Sequence, residues 1–470
     1  MSPAEVGQFE PASFRDPAAR VLRHDGQILR YLTSAALHDF ETLSSTRFYR
    51  EFTESGRLVA TERASGAQNL PLSDPWVAVL RHQTIPIVSY PYEWCFSMLQ
   101  DAALLQLDLL VAALDEGMTL KDATPFNIQW LGTRPVFIDI GSFKVADPGE
   151  PWAGYRQFCE MFLYPLFLQA YKDVPFHPWL RGSLEGVEAG HLNSLMSARD
   201  RLRPGVFTHV YLLSRLQSGY EATQRNVRKD LRSAGFSVEL IKHNVKRIRR
   251  IVKRLTWSRA RSTWSNYVHC NTYEQVDRER KKQFILRAAG SKHRSCVWDL
   301  GCNTGEYSRA VCECADLVVA VDADHLAIEH LYRELKDEQS LKILPLVGNL
   351  TDPSPGLGWR HRERQTLEKR SRPDLILALA LVHHLSIGRN VPLLDLVEWF
   401  ASFEADLVIE FVAPEDAMVE QLLRNRDELD FGYTQGRFEA CVANHFVIAE
   451  TEVLQSGTRT IYYLRPKHSS

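Results

Sequence analysis

No excess of charge of either sign marks this sequence. Its 470 residues carry 56 Lys and Arg against 58 Asp and Glu, a formal net charge of −2. That balance argues against bulk attraction to a polyanion, so no nucleic-acid partner is expected. No apolar run approaches the roughly 20 residues that span a bilayer, so no membrane span is expected. The opening residues MSPAEVGQFEPASFRD mix acids with prolines and lack the apolar core of a signal peptide. The eight cysteines are scattered. Only Cys312 and Cys314 stand close, as CEC, which is not a zinc spacing. The expectation is a cytoplasmic protein with reduced thiols. Internal repeats and low-complexity segments are missing too.

What remains is ordinary globular material, 45% hydrophobic and 24% charged. At about 100–200 residues per domain, the chain should hold two or three. Composition breaks at IKHNVKRIRRIVKRLTWSRARS, which starts at Ile241 and contains no acid. Val245, Ile248, Ile251, Val252 and Leu255 recur there at helical spacing. Such a helix could lie on anionic lipid or nucleic acid, or join domains with a solvated basic face. Its shortage of bulky anchors favours the second reading. The expected division is residues 1–238, a basic helical linker over 239–263, and a domain over 264–470.

The segment SCVWDLGCNTGEYSRAV begins at Ser295. Cys296 to Leu300 read as a buried strand, Gly301, Asn303 and Gly305 as a tight turn, and the rest as the start of a helix. Glycine turns sharply and admits a ligand close to the backbone, and Asn303 is of a type that tolerates left-handed backbone. Strand, turn and helix open a doubly wound sheet, with the ligand at the carboxyl ends of the strands. The spacing G-x-x-x-G fits neither the dinucleotide nor the phosphate-loop pattern; an adenosyl ligand without pyrophosphate fits better. The next apolar strand, DLVVAVDAD, brings Asp322 to where a carboxylate can accept from both ribose hydroxyls. The competing role for Asp322, capping the next helix, suits Asp324 better. KILPLVGNL, PDLILALAL and ADLVIEFV follow as strands, and HFVIAETEVLQSGTRTIYYLRP reads as a closing hairpin.

This order resembles the class I S-adenosylmethionine-dependent methyltransferase fold, an α/β, Rossmann-like sheet of seven strands. DLGCNTG, VVAVDAD and ALVHHL carry the resemblance. It implies that Asp299, Gly301, Cys302, Asn303 and Gly305 line the methionine end of the cofactor and that Asp322 holds the ribose. The acid usual beside the adenine is replaced by Asn349. A hydroxyl acceptor needs a base for its proton, and His383, His384 and Glu410 fall near the carboxyl ends of strands. The signatures (N/D)-P-P-(Y/F) and Pro-Cys are missing, so hydroxyls of small molecules or sugars are the leading acceptors. A non-catalytic protein that binds S-adenosylmethionine is the alternative.

Upstream, SMLQDAALLQLDLLVAALDEGMTL reads as a helix, followed by LKDATPFNIQW and RPVFIDIGSF. Helix, D-x-x-x-x-N loop, strand and IDIG turn are similar to kinases and aminoglycoside-phosphotransferase-like proteins, implying an α+β kinase-like domain. The resemblance assigns substrate positioning to Asp122, and Mg²⁺ with ATP to Asn127 and Asp139. It departs at Leu120 and Lys121, where His-Arg is usual, and lacks a glycine-rich loop. Arg30 is the nearest candidate for the missing lysine. A bifunctional kinase–methyltransferase is therefore a further alternative. Across residues 90–465, SYPYEWCFSMLQDAALLQLDLL, GNLTDPSPGLGW and SGTRTIYYL join these motifs in resembling the NoeA family of rhizobial host-specificity nodulation proteins. That resemblance implies a bacterial methyltransferase linked to symbiosis or surface carbohydrate.

Overall fold

A computed structural model describes residues 9–64, 75–215, 237–257, 275–424 and 432–467. The chain forms two compact units. The first comprises 1–130, 134–259 and 356–364; the second comprises 131–133, 260–355 and 365–470. The expected junction at 263 and 264 lies outside the described residues.

In the first unit, β1 (Ala19–His24) and β2 (Gln27–Leu32) form a hairpin. Its two-residue turn, Asp25-Gly26, has φ of 48° and 73°, the left-handed pair that matches strand twist. With β3 (Thr61–Arg63) and β4 (Ala78–His82) they form a sheet in the order β1-β2-β4-β3. Leu22, Leu29, Tyr31 and Val79 pack on one face. The helix Phe96–Asp115 follows. It is 20 residues long and holds an 18-residue window of mean hydropathy 1.4, so by length and composition it could cross a membrane, contrary to the expectation that no run is long enough. Two-thirds of its apolar window is buried in the unit (67%), which explains the composition equally well. Beyond it come β5 (Met118–Leu120), β6 (Ile128–Leu131), β7 (Arg134–Phe137) and β8 (Phe143–Val145), paired as β5-β8 and β6-β7.

The basic stretch forms the helix Val238–Arg254 within this first unit. Val245, Ile248 and Val252 are buried. Gln100 donates to the carbonyls of Val252 and Leu255, and Arg249 bonds Asp108 at 2.5 Å. Its buried apolar positions pack against the helix Phe96–Asp115, while Val238 and Leu240 near its start are exposed.

The second unit holds the expected seven-stranded sheet. β9 (Arg294–Leu300), β10 (Ala315–Asp322), β11 (Ile343–Val347), β12 (Leu375–Ala378), β13 (Asp406–Val412), β14 (Phe446–Val453) and β15 (Arg459–Pro466) stand in the order β11-β10-β9-β12-β13-β15-β14. The first five are parallel, and β15 runs antiparallel between β13 and β14. Their apolar runs reflect burial on both faces. The order reverses between β9 and β12, which opens a crevice at the carboxyl ends of those strands. At the opposite, amino end, fully buried Arg294 bonds Asp406 at 2.7 Å and the carbonyls of Ala288 and Ala289. That cluster ties the helix Gln275–Ala289 to the sheet.

Candidate functional site

The crevice of the second unit is a cavity of about 280 Å³, at the small end of the range for small-molecule sites. The turn after β9 forms one wall. Gly301, Asn303 and Gly305 take φ of 77°, 50° and 78°. The two glycines are required for different reasons. A Cβ on Gly305 would lie 2.6 Å from Leu331, whereas one on Gly301 would meet only Leu381, at 3.4 Å. Gly305 is therefore locked by packing and Gly301 by backbone conformation beside open space. Cys302 is buried in the same wall.

Two carboxylates sit beneath the turn. Asp299 is 2% exposed and accepts from the Ser308 hydroxyl at 2.5 Å. Burial pushes its carboxyl up to about 6. Asp322, at the end of β10, accepts from the backbone N–H of Asn303 and of Asp324, each at 2.8 Å. Burial raises it too, against those two donors. Asp324 caps the next helix through Leu326 and Ala327, as the sequence suggested. Asn349 lines the cavity and turns its side-chain oxygen to Thr351. Asp299, Gly301, Cys302, Asn303, Asp322 and Asn349 all line one space, and Gly305 shapes the turn from behind.

The three candidate bases part company. His384 lines the cavity, and burial depresses it to about 4. His383 is fully buried, lies against His384 with ring centroids 4.1 Å apart and planes tilted by 39°, and is not among the lining residues. Neither of its ring nitrogens has a hydrogen-bond partner among the described residues, and burial holds it well below the usual histidine range. Glu410 is fully buried and also off the lining. It accepts from Lys281 Nζ at 2.5 Å and from the Ala380 N–H at 2.7 Å. Arg459 approaches it at 3.7 Å and bonds Asp416 at 2.7 Å.

In the first unit the motif residues also meet. Asn127 donates to both oxygens of Asp122 at 3.1 Å, and the Ser142 hydroxyl donates to Asp122 as well. Burial, then the neighbouring Asp139 carboxylate, raises Asp122. Asp139 pairs with Arg30, 2.5 Å away and itself buried. Arg30 thus reaches the IDIG turn, but its guanidinium already neutralises the carboxylate assigned to Mg²⁺. Among the described residues no group of three or more His, Cys, Asp or Glu is arranged to hold a metal.

No family model matches the chain. It is 33% identical over 452 residues to the nodulation protein NoeA of Rhizobium meliloti (strain 1021), covering 96% of this chain and 94% of that protein. The chain belongs to the NoeA family. Among solved structures, the N-methyltransferase NodS from Bradyrhizobium japonicum WM9 is 11% identical, with a TM-score of 0.31, over 41% of this chain and 99% of its own. The magnesium protoporphyrin IX methyltransferase ChlM from Synechocystis PCC 6803 with bound SAH is 14% identical, with a TM-score of 0.30, over 43% of this chain and 92% of its own. Similarities this low fix neither activity nor substrate.

In this NoeA-family chain, sequence reasoning passed over Arg278, Lys281, Tyr307 and Arg389, which all line the cavity. One signal was available. Asp277, Lys281, Phe284, Ile285, Ala288 and Ala289 are the buried positions described in the helix Gln275–Ala289, recurring at spacings of three and four. Within RERKKQF, Lys281 is the charged residue on that face, beside Phe284, and a buried charge needs a partner.

Proposed function

We propose that the second unit binds S-adenosylmethionine and directs its methyl group to an oxygen of a carbohydrate or related small molecule. The observation that carries this reading is the gathering of Asp299, Gly301, Asn303, Asp322 and Asn349 around one cavity at the strand order reversal. The residues fit the group. The Gly301–Gly305 turn leaves a cradle that a side chain at Gly301 would enter. Asp322 spends one contact per oxygen on backbone N–H groups and keeps lone pairs for ribose hydroxyls. Asn349 offers an amide to the adenine. When bound, the cofactor supplies a sulfonium electrophile; the protein supplies position and a dry site. Leu379, Leu381 and Leu385 line the cavity and exclude water there. Membership of the NoeA family supports a role in nodulation; the carbohydrate acceptor rests on the missing signatures for other acceptors, and we place the protein in the cytoplasm.

Calorimetry with S-adenosylmethionine tests the reading. Gly301→Val and Asp322→Ala should each weaken binding more than about tenfold, or about 1.4 kcal/mol, while circular dichroism reports a folded chain. Wild-type affinity in both variants would remove the assignment. Tight binding with no turnover on any acceptor would favour a regulatory protein instead.

A second reading concerns the first unit. The meeting of Asp122, Asn127 and Asp139 supports a kinase-like site for Mg²⁺ and ATP, and the Arg30–Asp139 pair opposes it. Weak nucleotide binding and no phosphoryl transfer are expected.

A further inference from the structure

We propose that the methyl acceptor presents a carboxylate to the cavity, held by Arg389, and that the carboxylate oxygen itself is methylated. The inference rests on the methyl-transfer reading above and narrows its substrate class.

Cations line the cavity from two elements. Arg278 and Lys281 come from the helix Gln275–Ala289, and Arg389 ends the helix Val382–Arg389. The first two are already matched. Arg278 bonds Glu306 at 2.7 Å, and Lys281 bonds Glu410 at 2.5 Å. Arg389 is exposed, four residues from Leu385 on the same helix face, and pairs with no carboxylate among the described residues. Its guanidinium is the uncompensated charge of this wall. A planar fork of donors beside an apolar lining suits a carboxylate, which it can bind through two parallel hydrogen bonds. A protonated amine would meet like charge there instead.

The candidate bases point the same way. Glu410 is held by Lys281 and the Ala380 N–H and is not among the cavity-lining residues. His383 is buried beside His384, away from the lining. His384 reaches the cavity, but burial keeps it a poor proton acceptor. A sugar hydroxyl, with a pKa far above neutrality, needs an effective base in the transition state. A carboxylate needs none. A lone pair of its oxygen forms the new O–CH₃ bond as the C–S bond breaks and its electron pair stays on sulfur. One cation and one anion become a neutral thioether and a neutral ester, and no proton moves.

The test uses the full chain saturated with S-adenosylhomocysteine and two matched sets of probes: galacturonate, galactose and galactosamine; benzoate, benzyl alcohol and benzylamine. Calorimetry should find the acid of at least one set binding about tenfold or more tighter than its neutral and cationic partners. Arg389→Gln should erase that preference and Arg389→Lys should keep part of it, with S-adenosylhomocysteine affinity unchanged in both. Labelled methyl transferred from S-adenosylmethionine should then be released as methanol by mild alkali, as an ester is and an ether is not. The proposal is overturned if neither set prefers its acid, if Arg389→Gln leaves the preference intact, or if the transferred methyl resists alkali. Those outcomes would leave the methyltransferase reading standing as long as S-adenosylhomocysteine binds. Loss of that binding in the unaltered chain would instead remove the underlying reading.

Discussion

Two loop clusters in this chain gather polar residues by motif spacing, yet they end in opposite states. In the first unit, Asp122, Asn127 and Ser142 bond one another, and Asp139 is closed by Arg30. In the second, Asp322 is braced by Asp324 and by Asn303 of the neighbouring turn, and Asn349 by Thr351, but both still face a cavity. Spacing brings residues together; whether a ligand can enter depends on what else arrives. A buried cation delivered from a distant strand fills the first cluster. In the second, the equivalent buried cation, Lys281, is paired off by Glu410 beneath the lining, so the cavity stays open.

The largest expected effect follows from that pairing. Glu410→Ala removes the buried carboxylate that Lys281 bonds, and should destabilise the second unit by about 3–5 kcal/mol. Urea denaturation followed by the fluorescence of Trp298 and its neighbours measures this. A loss below about 1 kcal/mol would mean that the cluster relaxes without Glu410.

Next is Asp299. Its folded-state value of about 6 lies above the ordinary carboxylate value of 3.8. The folded chain therefore binds the proton more tightly than the unfolded chain does. Stability is greatest below the unfolded value and falls as pH rises from about 4 to 6, by about 3 kcal/mol at most for a two-unit shift. Asp299→Asn should flatten that segment of the stability–pH curve. A curve with the same slope in the variant would remove Asp299 as its source.

The two glycines of one turn should differ in the same way. Gly305→Ala should cost about 1–3 kcal/mol through left-handed strain and the clash with Leu331. Gly301→Ala should cost about 1 kcal/mol of stability through backbone strain alone, and weaken cofactor binding more than folding. Equal effects on binding and stability at both positions would erase the distinction between a packed and an open side of the turn.

The smallest effect is expected in the first unit. Mg²⁺ with ATP should raise its melting temperature by no more than about 1–2 °C, since stabilisation scales with the ratio of ligand to Kd. Asp139→Ala should abolish any metal-dependent part. A large shift, or Asp122-dependent phosphate transfer to a sugar, would show that Arg30 gives way to a metal, and would make the closed cluster an active site.

Much of the second unit was legible residue by residue. Its strands are continuous apolar runs because both faces are buried, and its turn announces itself through Gly301, Asn303 and Gly305, whose backbone few other residues adopt. Asp322 could be placed because it ends a strand of known direction. Pairing was not legible. Nothing local in RERKKQF or in DLVIEFV says that Lys281 and Glu410 meet, since they lie 129 residues apart. The same holds for Arg30 and Asp139, separated by 109 residues. His383 and His384 are chemically identical neighbours in the sequence, and the turn of one helix alone puts His384 on the cavity and His383 behind it. The sequence by itself determined the strands of the second unit and the glycine turn after the first of them, because propensity, burial pattern and backbone conformation are local. Only the tertiary structure decided which charges are spent and which stay available, because that depends on which distant side chain reaches each one first.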